Sequence, residues 1–213
     1  MNMINGTNAT AGIDAGCQYQ GAIGKNIEDM LNLSTLSRML DDFCSVTGLM
    51  VDVIDRKSGE VVAAEGTKRI CAAFHRDCPA SELSCKNFMD TQHAGDAPVS
   101  IMCNCELGLS TAFSSVKVGE EILADIFIGP ALLAPVNAEQ VENTCKAFGI
   151  DAGSYLRMMK EVNIVGSEDL NATLAELSET VRILAEGANG QEESALEAYK
   201  ALFKAKRGFL KDS

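Results

Sequence analysis

Cysteine residues are concentrated in the middle of the chain. Five of the eight cysteines of this 213-residue sequence fall between positions 71 and 105, namely Cys71, Cys78, Cys85, Cys103 and Cys105. Thiols bind soft metals, undergo redox reactions and pack as small apolar groups. The sequence therefore predicts a thiol-based site. It leaves open whether that site holds a metal, acts as a redox switch or lines a small-molecule pocket.

A metal centre is one interpretation of these thiols, because zinc and iron–sulfur clusters are commonly held by four soft ligands. The candidate thiolate ligands are Cys71, Cys78, Cys85 and Cys105. His75, one helical turn after Cys71, is a further candidate, whereas His93 is more typical of a surface or capping residue. The chain has no C-x₂-C pair. Packing of the cysteines in a core or around a pocket is therefore the alternative.

The overall composition disfavours several classes of function. With 30 acidic and 18 basic residues the net charge is −12, which repels nucleic-acid phosphates and anionic lipid, so we expect neither as a partner. No apolar run approaches the ~20 residues that span a bilayer. The N-terminus lacks a secretory signal pattern, so we expect reduced thiols in the cytoplasm. Because nucleotide-binding and hydrolase motifs are absent, we predict no enzyme, and we expect the acidic side chains to be solvated.

The order of predicted elements indicates an α+β fold. A helix begins at Leu33 and ends at Gly48, and it is followed by a two-stranded hairpin. A cysteine-bearing helical stretch comes next, and Pro79 breaks it into two helices. Three further strands precede the last helices. We therefore predict a PAS-like, five-stranded antiparallel sheet covered on one face by helices. The predicted strands are 49–55, 60–65, 98–104, 107–118 and 120–129, and the later helices are 138–148 and 152–160.

The last predicted helix, residues 167–208, carries apolar residues at alternating intervals of four and three. They are Leu170, Leu174, Leu177, Val181 and Leu184. This heptad spacing predicts a coiled-coil contact in a homodimer. The alternative is a helix that packs on its own domain, which also has an apolar stripe. The predicted organisation is thus a leader over 1–24, a sensory domain over 25–165 and a C-terminal signalling or dimerisation helix over 166–213.

Several motifs in this order resemble the PocR-type sensory domain family. The stretch LSRMLDDFCSVTGLMVDVIDRKSGEVV, residues 36–62, resembles the opening helix and hairpin of the family. RICAAF places Cys71 on a family cysteine, and SELSCKNFMD places Cys85 on the next one. CELGL resembles the Cys-His-Ala-Gly-Leu motif of the family, with Cys105 on its cysteine and Glu106 in place of its histidine.

The resemblance implies a PAS-like sensor that binds a small hydrophobic or diol-like molecule. A change in its pocket would pass through the terminal helix to an effector domain or a partner protein. Three family-matched cysteines from separate segments favour a shared site, and we predict a closed pocket between the sheet and the cysteine helices. The predicted lining residues are Ile70, Cys71, Phe74, Ile101, Cys103, Cys105, Leu107 and Ile126.

Overall fold

The computed structural model describes residues 26–66, 69–81, 83–85, 87 and 101–187, with the side chains of 101–103 left out of the description. Its strands and helices follow the predicted order. The strands are β1 (Met50–Asp55), β2 (Val61–Glu65), β3 (Ile101–Asn104), β4 (Ser110–Val118) and β5 (Glu121–Ala131). The helices are α1 (Ile27–Met30), α2 (Leu33–Thr47), α3 (Arg69–Asp77), α4 (Ala138–Phe148), α5 (Ala152–Met159) and α6 (Ser167–Glu186).

The strands form one antiparallel sheet in the order β2-β1-β5-β4-β3, so the predicted α+β class is confirmed. Strand β4 begins at Ser110, three residues later than predicted, because the preceding residues form a turn. In this turn the backbone N–H of Cys105 donates to the carbonyl of Leu109 at 2.8 Å. The Gly108 N–H donates to the carbonyl of Cys105, also at 2.8 Å.

Local signals set the helix ends. The side chain of Asn32 caps α2 by accepting hydrogen bonds from the backbone N–H groups of Ser34 and Thr35. Gly48 ends α2 with a φ of 65°, as the sequence predicts. The cysteine-bearing helical stretch breaks at Cys78, which is not helical, and helix resumes at Pro79. The later part of that stretch, including His93, lies outside the described residues.

Helices α2 and α6 cover one face of the sheet and enclose the larger apolar core, which we call the first cluster. Its sheet residues are small or aliphatic, including Val51, Ala112, Ile126 and Ile128. Together with α1, the two helices supply almost entirely aliphatic and methionine side chains. Burial of this continuous apolar surface is the main stabilising contribution of the region.

The apolar stripe of α6 belongs to the first cluster. Its five residues Leu170, Leu174, Leu177, Val181 and Leu184 are at most 2% exposed within a single chain. Helix α6 packs along β4 and β5. The stripe therefore packs on its own domain, and the prediction that it forms a coiled-coil contact between two copies is wrong for these residues. The remainder of the predicted 167–208 helix lies outside the described residues.

Helices α3, α4 and α5 pack together at the end of the sheet where β4 begins and β5 ends, and form what we call the second cluster. It contains Phe74, Leu109, Leu132, Cys145 and Tyr155 among its buried residues. The described part of the chain contains no helix long and apolar enough to cross a membrane.

A linker joins the two clusters between α5 and α6. The side-chain NH₂ of Asn163 donates to the backbone carbonyl of Thr47 at 2.6 Å, and the backbone carbonyl of Asn163 accepts from the N–H of Leu132 at 2.9 Å. Gly48 makes room for this contact, since a Cβ there would lie 2.3 Å from the Asn163 Nδ2 atom. One asparagine therefore connects the end of α2, the end of β5 and the approach to α6.

Candidate functional site

A small internal cavity lies where the cysteine-bearing helices meet the sheet, and we call it the inner cavity. Its volume is about 40 Å³. The residues that line it are Cys71, Phe74, His75, Cys85, Cys105, Leu109, Thr111 and Pro130. Three thiols from separate segments of the sequence thus line one small space.

Each wall of the inner cavity comes from a different element. Helix α3 presents Cys71, Phe74 and His75, whose spacing of three and four places them on one helix face. The helical residues after the break supply Cys85, and the turn before β4 supplies Cys105. All three cysteines are half-buried, as expected for side chains that line a cavity.

The sheet side of the cavity depends on a close approach between two strands. Thr111 of β4 and Pro130 of β5 line the cavity, and Gly129 lies beside Thr111. A Cβ at Gly129 would lie 2.9 Å from the carbonyl oxygen of Ser110 and 3.0 Å from Thr111 Oγ1. Gly129 also has a φ of 149°, which favours glycine. The absence of a side chain at Gly129 therefore lets β5 approach β4 closely beside the cavity.

Phe74 fixes the helix side of the cavity through aromatic contacts. Its ring meets Tyr155 edge-on with centroids 5.8 Å apart, and it meets Phe148 edge-on at 6.0 Å. The Tyr155 hydroxyl donates to the Asp77 carboxylate at 2.9 Å. Burial, followed by this contact with Asp77, raises the pKa of Tyr155, so its hydroxyl stays protonated and acts as a donor. Helices α3, α4 and α5 are thereby held in one arrangement.

The predicted pocket residues fall into three groups. Cys71, Phe74 and Cys105 line the inner cavity. Ile70 and Leu107 are buried in the second cluster beside it without lining it. Ile101 and Cys103 have side chains outside the described residues, although the backbone register pairs them with Phe113 and Thr111.

Ile126 is a correction to the predicted pocket. It is fully buried in the first cluster, on the sheet face that α2 and α6 cover. Its neighbours Asp125 and Phe127 are buried apart from that cluster, because successive side chains of a strand point to opposite faces. The sequence places Ile126 in the correct strand but not on the correct face.

The predicted metal set does not fit the described residues. No group of three or more potential ligands among them is arranged to hold a metal ion. Cys78 is 4% exposed in the second cluster and is absent from the inner cavity, so it serves as a packing residue. Burial also raises the pKa of the Cys105 thiol.

A buried ion pair on the sheet was missed by the sequence analysis. Asp125 is fully buried, and its carboxylate accepts hydrogen bonds from Arg56 at 2.8 Å and from the Ser115 hydroxyl at 2.5 Å. Two aromatic rings, Phe113 and Phe127, lie 4.9 Å apart on the same face. The signal was a single acid within the otherwise apolar run ILADIFIG.

The fold and the cavity together have the features of a sensory module, and the comparison with protein families identifies this class. The family model described as the sensory domain found in PocR matches residues 29–189. This match covers most of the chain, which therefore belongs to the PocR sensory domain family. The matched residues extend beyond the stretch that carries the resemblance and include the whole of α6. No curated protein matches the chain, and no solved structure matches it.

Proposed function

We propose that this sensory domain detects a small, neutral organic molecule that binds in the inner cavity. The observation that carries the proposal is the convergence of Cys71, Cys85 and Cys105 on one small space of about 40 Å³. A cavity needs about 10–15 Å³ to hold one water molecule, so this space accepts only a small molecule of a few non-hydrogen atoms.

The chemistry of the wall supports a neutral and mostly apolar ligand. Thiols, an aromatic ring and aliphatic side chains form a soft, polarisable surface. Among the described residues, the Thr111 hydroxyl and the His75 imidazole supply polar groups to the wall. They can bind one or two polar atoms of the ligand and thereby fix its orientation. A small alcohol or diol has this combination of properties, in agreement with the ligand class that the family resemblance implies.

The backbone around Leu132 supports a route by which binding reaches the terminal helix. Pro130 lines the cavity, and Leu132 follows it by two residues on the same segment. The N–H of Leu132 donates to the linker at Asn163, and the Val165 N–H donates to the Leu132 carbonyl at 2.8 Å. Helix α6 begins two residues later, at Ser167. We infer that a shift of the cavity wall biases the start of α6 and thereby an effector domain or partner protein.

Ligand-induced stabilisation tests the proposal. We expect propane-1,2-diol and butan-2-ol to raise the melting temperature of the protein in a concentration-dependent manner. At about 100 times the dissociation constant, binding contributes about 2.7 kcal/mol, which corresponds to several degrees in a chain of this size. Benzyl alcohol, which is too large for the cavity, should give no comparable shift.

A cavity-filling variant supplies the matched control. Cys71→Leu adds carbon atoms to the inner cavity and should abolish the shift. Cys44→Leu makes the same change at a half-buried cysteine that packs against the first cluster, and it should leave the shift intact. Equal shifts in both variants would show that the alcohols bind elsewhere, and the proposal would fail.

A further inference from the structure

A surface groove of about 330 Å³ adjoins the inner cavity, and we call it the outer groove. This volume lies in the range of small-molecule sites, about 300–1,000 Å³. The turn before β4, the segment after β5 and the start of α4 form its walls. Cys105 lines both the outer groove and the inner cavity, so the two spaces meet at this residue.

The lining of the outer groove is uncharged. Its described residues are aliphatic, small or hydrogen-bonding, and none of them is acidic or basic. This is unusual on a chain with a net charge of −12. An anionic ligand would meet a repulsive protein field without a cation in the groove to offset it. A cationic ligand would lack a carboxylate in the groove to pair with. The lining therefore favours a neutral ligand.

The amide side chains of the groove are arranged as hydrogen-bond donors. The Oδ1 atom of Asn137 accepts from the backbone N–H of Gln140 at 3.1 Å, and this contact leaves the NH₂ group of Asn137 as a donor. The Oδ1 atom of Asn104 accepts from the Ser110 hydroxyl at 2.5 Å, and this contact likewise leaves the NH₂ group of Asn104 as a donor. Both asparagines line the groove and are exposed. Such donors recognise an acceptor such as a carbonyl oxygen.

We propose that the outer groove binds the neutral carbonyl head of an elongated ligand whose narrow apolar end passes Cys105 into the inner cavity. This inference rests on the proposed function, since it assumes that the inner cavity is occupied. It names a class of ligand, a neutral amide, ester or ketone with a short alkyl chain. It also assigns the recognition of the carbonyl oxygen to Asn137 and Asn104.

Calorimetry with three probes of equal chain length tests the charge requirement. Hexanamide presents a neutral carbonyl, hexanoate presents an anion and hexylammonium presents a cation. We expect hexanamide to bind at least tenfold more tightly than either ion. Binding of hexanoate or hexylammonium as tight as that of hexanamide, or no binding of hexanamide, would overturn the inference.

Asn137→Asp isolates the donor at the head of the groove. Asp is as good an N-cap as Asn, so α4 should keep its start while the NH₂ donor becomes a carboxylate acceptor. We expect hexanamide to bind this variant at least tenfold more weakly. Asn32→Asp makes the same change at the N-cap of α2, away from the groove, and should leave the affinity unchanged.

The small alcohols distinguish failure of this inference from failure of the proposed function. Butan-2-ol, which reaches only the inner cavity, should stabilise Asn137→Asp as much as the unaltered protein. If butan-2-ol stabilises both and hexanamide also binds both equally, the outer groove has no role in recognition and the inference is overturned alone. If neither probe binds the unaltered protein, both proposals are overturned together.

Discussion

The first and second clusters bury apolar side chains in different ways. The first cluster joins aliphatic residues of α2, α6 and one sheet face, without thiols among its fully buried members. The second cluster mixes aromatic rings, two buried cysteines and half-buried thiols around α3, α4 and α5. The inner cavity and the outer groove are both lined by residues of the second cluster.

This difference indicates that the first cluster stabilises the domain and the second provides space for a ligand. Dense aliphatic packing between a sheet and two helices supplies stability, because removed apolar surface and dispersion contacts add along the whole interface. The second cluster leaves space unfilled and places polar and polarisable groups around it, at some cost in packing energy. Substitutions should therefore lower stability most in the first cluster, and should change ligand recognition in the second.

The largest effect is expected at Leu177, which is fully buried where α6 meets the sheet. Leu177→Ala should lower the free energy of unfolding by about 3 kcal/mol, because it removes apolar contacts and leaves a cavity. Urea unfolding followed by circular dichroism measures this loss. Ile183→Ala on the same helix, where the side chain is 43% exposed, should cost less than about 1 kcal/mol. A similar cost for the two variants would contradict the packing of α6.

A smaller effect is expected at Phe74. Phe74→Leu removes two edge-on ring pairs, each worth about 0.5–1.5 kcal/mol, so we expect a loss of about 2 kcal/mol. Amide hydrogen exchange should show faster opening of α3 with little change in α6. Phe148→Leu, which loses one of the two pairs, serves as the control and should cost less. Equal loosening of α3 and α6 would show that the clusters do not differ in this way.

The smallest effect concerns reactivity and leaves stability unchanged. Burial, with a contribution from Glu65, raises the pKa of Cys44 to about 12. At pH 8 about one Cys44 thiol in 10⁴ is then ionised, so iodoacetamide should label it about 10³-fold more slowly than in the unfolded chain. Labelling should accelerate tenfold for each unit of pH, as mass spectrometry of tryptic peptides can show. A native rate equal to the rate in urea would contradict the burial of this thiol.

The elements of the fold could be predicted because their signals are local. Asn32, Gly48 and Pro79 act on the backbone within a few residues, and the structure places the helix ends where these residues indicate. The assignment of residues to faces and surfaces depends on tertiary packing. Ile126 was assigned to the pocket and does lie in strand β5. The alternation of side chains along that strand, however, turns Ile126 to the face that α2 and α6 cover.

The stripe of α6 shows a second limit of sequence patterns. Spacing of four and three is shared by a coiled coil between subunits and by a helix on a sheet, and the sequence alone does not distinguish the two. Here the sheet offers a continuous aliphatic face to the helix, so the stripe packs within the chain. The cysteines likewise show that spacing alone does not assign a role. Cys71, Cys78 and Cys85 are seven residues apart, yet Cys71 and Cys85 line a cavity while Cys78 packs in a core.

The contacts of Asn163 have a consequence for the cooperativity of the domain. This residue ties the end of α2, which belongs to the first cluster, to the end of β5 beside the second cluster. Because both regions share this tie and one sheet, they should unfold together on heating, even though a single helix such as α3 can open locally in the native state. The domain should melt in a single transition, so energy gained from a ligand in one region would protect the other from unfolding as well.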